Sequence, residues 1–201
     1  MLLFSSGINS LISPDSAGKP ETHHMTAISQ SELAAADIAV RRMNLPQRVQ
    51  LADEIHAYQP QLLASVLVMP TYGVSNVQLD VLINLLLVFY QAMKASGRAW
   101  PVVTEDVQER CLKRVVGRVR FIEGLAPELQ TQAVTDALAD HPEKQVLALV
   151  FGEMQSMLGI KTEAEKMLVL AALNLVECIA ETAPELAPRG SDASAWKRGE
   201  I

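Results

Sequence analysis

Three features of the chain predict an all-α protein: its residue alphabet, its punctuation and the period of its apolar positions. Ala and Leu number 25 and 26 among 201 residues, while aromatic residues make up only 4%. Ala and Leu lose little on entering a helix, whereas strands select β-branched and aromatic side chains. From residue 29 to 183 the apolar positions recur at helical rather than alternating spacing, between recurrent Pro and Gly breakers. A chain of this length buries a sizeable core without disulfides or metals. The expectation is a compact bundle of about eight helices with flexible ends.

The elements follow in order from their start and stop signals. Ser31-Glu32 opens an Ala-rich helix that stops near Asn44, and Pro46 suits the first turn of a second helix reaching Tyr58. Gln59-Pro60 breaks the chain and restarts a short helix to Met69. Pro70 to Gly73 reads as a turn, and Ser75 caps a long helix that ends at Ser96-Gly97. Trp100-Pro101 separates the halves. Thr104, followed by Glu105 and Asp106, starts a helix to Gly124, its acids complementing the helix dipole. Pro127 begins the next, His141-Pro142 breaks it, and a further helix runs to Leu158-Gly159. Thr162 with Glu163 and Glu165 opens the last, which ends near Thr182.

Residues 1–28 and 184–201 are rich in breakers and polar residues and read as a flexible N-terminal arm and a flexible C-terminal tail around the 29–183 helical domain. Within the arm, Phe4, Ile8, Leu11 and Ile12 fall at the spacing of a helix that docks in a partner's groove. The punctuation also repeats. Gln59-Pro60 and His141-Pro142, Tyr72-Gly73-Val74 and Leu158-Gly159-Ile160, and Asn84 and Asn174 lie 82, 86 and 90 positions apart. The offset grows by about one helical turn each time. Two similar four-helix halves, 29–96 and 104–183, are therefore expected.

Two stretches, Leu79 to Tyr90 and Met167 to Ile179, are apolar nearly all round and should form the central helices. Each carries one amide, Asn84 or Asn174. An unpaired buried amide costs roughly 1–3 kcal/mol, so each must find a partner. They read as packing amides, as ligand contacts, or as a pair meeting across a pseudo-twofold axis.

Net charge is −6, which counts against a nucleic-acid binder. Yet residues 110–120 hold Arg110, Lys113, Arg114, Arg118 and Arg120 with no acid, leaving the rest of the chain at −11. Val107, Cys111, Val115, Val119 and Ile122 form the core stripe of that helix, and the cations recur beside it. Like charges at i, i+4 repel, so the row needs a reason. Either neighbouring helices supply acids, or the row docks an acidic partner, a phosphate or an anionic lipid.

Chemistry is sparsely signalled. Asp53 and His56 have a carboxylate-to-His spacing used in di-iron bundles, but the second such motif is missing, so no metal site is expected. Cys111 and Cys178 lack ligand-spaced partners and read as small buried hydrophobes. No phosphate loop or nucleophile elbow occurs, and no cofactor is expected. A helix–turn–helix over residues 130–151 would offer only Val146 to Phe151 to the bases, which excludes specific DNA reading. The apolar runs are too short for a secretory signal or a transmembrane span, so a cytoplasmic location is expected. The reading that fits best is a non-catalytic helical protein that binds another protein as adaptor, regulator, chaperone or inhibitor, with a homodimer also open. The competing reading is a helical enzyme or small-ligand binder with a pocket between the two central helices.

Overall fold

A computed structural model describes residues 27–155 and 162–184. The docking spacing at Phe4 to Ile12, the Leu158-Gly159-Ile160 signal, and nearly all of the arm and tail lie outside these residues. The described residues form eight α-helices and no strand, the all-α class that the composition demands. These are α1 (Gln30–Arg42), α2 (Leu45–Tyr58), α3 (Pro60–Leu67), α4 (Asn76–Ala95), α5 (Glu105–Glu123), α6 (Pro127–Ala139), α7 (Lys144–Gln155) and α8 (Glu163–Glu181). A 3-10 turn, Met69–Tyr72, follows α3.

The caps explain the boundaries. Ser29, Asn44, Ser75 and Thr162 each close a reciprocal capping box with the residue three positions on. The first helix is thus capped by Ser29 rather than Ser31, because the Ser29 N–H donates to the Glu32 carboxylate at 2.7 Å. Ile28, just before that cap, and Leu33, four residues after it, are both buried as a hydrophobic staple. Gly73 at φ +82° and Gly97 at φ +65° turn the chain where only glycine is unstrained.

α4 and α8 are the central helices, with nine and eight buried residues. Among the described residues α4 alone has the length and hydropathy to cross a membrane, and half of that apolar window is buried by the rest of the fold. In each half the first helix packs along the fourth, α1 on α4 and α5 on α8, more extensively than any other pair. The halves then interlock: α4 meets α8, α3 reaches α8, and α7 reaches α4.

Two side chains fasten that interlock. Gln59, between α2 and α3, accepts from the Val103 N–H at 2.8 Å and donates to the Pro101 carbonyl at 2.9 Å. Glu143, between α6 and α7, accepts from the Ala27 and Ile28 N–H groups at 2.6 and 3.3 Å. In each half, the link between second and third helix therefore holds the backbone entering the first helix of the other half. The Glu143 contact places Ala27 and Ile28, which the sequence assigns to the arm, inside the core.

Candidate functional site

The basic row of α5 lies against α8, and its cations diverge. Arg110, Arg114 and Arg118 advance around the helix toward α8, because four residues overshoot a 3.6-residue turn. There they meet acids one turn apart. Arg110 reaches Glu181 at 3.1 Å, Arg114 reaches Glu181 at 2.8 Å and Glu177 at 3.7 Å, and Arg118 reaches Glu177 at 2.6 Å. Among the described residues Lys113 pairs within its own helix, with Glu109 at 2.8 Å. Arg120 is exposed on the outer side. The sequence grouped five cations as one face; the structure divides them into three that stitch α5 to α8 and two that look outward.

Glu177 is the centre of the stitch. Its side chain is only 9% exposed, and besides the arginines it meets His141 Nε2 at 3.5 Å. His141 is fixed from behind, since the Glu143 N–H donates to its Nδ1 at 3.0 Å. The ring hydrogen therefore sits on Nε2, aimed at the carboxylate. Burial pushes the Glu177 carboxyl up, but the His141 and Arg118 hydrogen bonds outweigh it and hold the group at about 2. Glu181 is likewise held below the usual carboxylate range by Arg110 and Arg114. Burial raises Glu143 despite its two backbone donors. With both imidazole nitrogens engaged and the Glu177 carboxylate held ionised, this cluster ties α5, α8 and the link between α6 and α7 together.

Beside the lock lies a cavity of about 70 Å³ between α5, α6, α7 and α8. Its walls are apolar, with Arg118, His141 and Glu177 along one edge. This cavity is lined by α8 but not by α4, and α4 and α8 contact each other within one core. Nor do the amides meet. Asn84 accepts from Arg48 of α2 at 3.2 Å, and Asn174 lies 3.9 Å from the Cys178 thiol of its own helix. Cys111 and Cys178 are both buried at the α5–α8 contact, where burial pushes each thiol up and away from reactivity. His56 and Asp53 are exposed on α2, and Val146, Leu147 and Val150 of the would-be recognition helix are buried.

The outer face of α5 is the second feature. Lys113, Gly117, Arg120, Phe121 and Gly124 fall at i, i+4, i+7, i+8 and i+11, one side of a helix, and all are exposed. Phe121 is 66% exposed. A Cβ placed on Gly117 would touch nothing within 4 Å, so no packing inside the molecule calls for a glycine there.

The fold and these two features define an all-α helical protein with a charge lock on one flank. No family model matches the chain, and neither a curated protein nor a solved structure matches it.

Proposed function

We propose that the protein is non-catalytic and acts by binding another protein through the outer face of α5. The observation that carries this reading is Phe121, a large aromatic side chain left in water beside exposed Arg120. Aromatic and Arg side chains are the residues that anchor interfaces, and one such anchor supplies much of an interface's affinity. Gly117 adds a shallow notch one turn away, at a cost of about 1 kcal/mol to the helix relative to alanine. Arg120 beside Phe121 favours an acidic partner, while Lys113 is paired with Glu109 on its own helix, in a chain whose own balance is −6. The lock behind this face supports the reading, because Arg110, Arg114 and Arg118 hold α5 rigidly while the remaining two cations face outward.

The test is retention on the immobilised full chain from extracts of its own source. A protein held by the wild type, and lost from both Phe121→Asp and Arg120→Glu with circular dichroism unchanged, is the expected result. Partners that survive both substitutions would place the interaction elsewhere. A dimer in solution that Phe121→Asp disperses would make a second copy of this chain the occupant.

A further inference from the structure

The two halves differ in how their second helix is seated. α2 buries Leu51 and Ile55 and packs against the central α4. α6, which holds the same place in the second half, buries no residue at all. It rests on its chain neighbours α5 and α7, and its start at Ala126 has no side-chain cap. Where α2 fills its half, α6 spans a void: Val134 and Leu138 face Val115 and Ile122 of α5, Phe151 of α7 and Val176 of α8 across the 70 Å³ cavity.

We infer that this cavity is a binding site for a small uncharged ligand with an alkyl chain, and that α6 is the element that moves to admit it. This inference is independent of the α5 docking face. A water molecule needs only about 10–15 Å³ of such space, so the volume exceeds a packing defect, and apolar walls of this kind favour a hydrocarbon over water. The polar edge selects the head of the ligand. Among the lining residues Arg118 is offset by Glu177 at 2.6 Å, so the wall itself presents no net charge to an ionic head. The remaining N–H donors of Arg118 and the Glu177 oxygens can instead exchange hydrogen bonds with a hydroxyl. The lid follows from local stability: a helix whose inner side chains, Val134, Ala137 and Leu138, are only half-buried opens at lower cost than one seated in the core.

The experiment is titration of the full chain with 1-hexanol, followed by methyl NMR, with sodium hexanoate as the charged counterpart. Saturable shifts at Val134, Leu138 and Val176, together with slowed amide exchange along α6, are expected for the alcohol and not for the carboxylate. Ala137→Phe, which fills the cavity, should abolish them. Should that variant not fold, Ala137→Val and Val134→Leu serve in its place and should give a graded loss. Absence of saturable shifts, stronger response to hexanoate than to hexanol, or shifts unchanged in the filled variants would each overturn the inference.

Discussion

Replacing Glu177 tests the lock most directly. The carboxylate is nearly buried and receives Arg118 at 2.6 Å and His141 at 3.5 Å, with Arg114 at 3.7 Å. The arginines are about two-fifths exposed, so on losing their partner they return to water, and each forfeits about 0–1 kcal/mol. His141 cannot do so: its side chain is 4% exposed, and a stranded buried donor costs about 1–3 kcal/mol. Glu177→Leu should therefore destabilise by about 3 kcal/mol, and Glu177→Gln, which keeps an acceptor for Nε2, by about half as much. For a domain of this size these losses correspond to roughly 6–12 °C and 3–6 °C in Tm. Urea denaturation monitored by circular dichroism measures both. A Glu177→Leu variant as stable as the wild type would refute the reasoning, since it would mean that desolvation of the carboxylate already cancels its pairing.

The other predictions concern the same helices. The double reversal Arg114→Glu and Arg118→Glu sets two carboxylates against Glu177 and Glu181, and should cost at least about 3 kcal/mol in the same assay, because Glu177 is then buried among like charges. On acidification, Glu177 and Glu181 are groups whose folded values lie below their unfolded ones. Their stabilisation is present above the ordinary carboxylate value and is lost as pH falls below it, for Glu177 down to about 2, while Glu143, raised by burial, shifts the opposite way. Thermal melts between about pH 6 and pH 3 should thus show a fall in Tm that Glu177→Gln reduces. Gly117→Ala should stabilise the fold by about 0.5–1 kcal/mol, since the new methyl meets nothing and helical propensity improves; the docking face predicts that the same change weakens partner retention.

Much of the fold was legible because it is written in local signals. Ser75, Thr104 and Thr162 cap the helices where their hydroxyls suggest, and the prolines open α2, α3 and α6. The all-round apolar stretches became α4 and α8 for the reason that a helix without a polar face has nowhere to go but the centre. The site was less legible, because its partners are remote in the chain. Arg118 and Glu177 are 59 positions apart, and no periodicity within α5 announces acids on α8. Gln59 and His141 were visible only as the residues before a proline. Their roles depend on which backbone they face, which is a property of the assembled halves. Glu143 gave no sequence signal beyond its position beside a helix start, and its burial follows from two N–H groups at the far end of the chain that needed an acceptor.

That last contact orders events in time. Ala27 and Glu143 are 116 positions apart, so the backbone that leads into α1 waits for its acceptor until most of the chain has been synthesised. The first half can form its helices early but cannot finish its own entrance. Closing that entrance pairs groups of large sequence separation, a step slower than forming the helices themselves. A nascent chain stalled before residue 143 should leave the amides of residues 27 and 28 open to exchange.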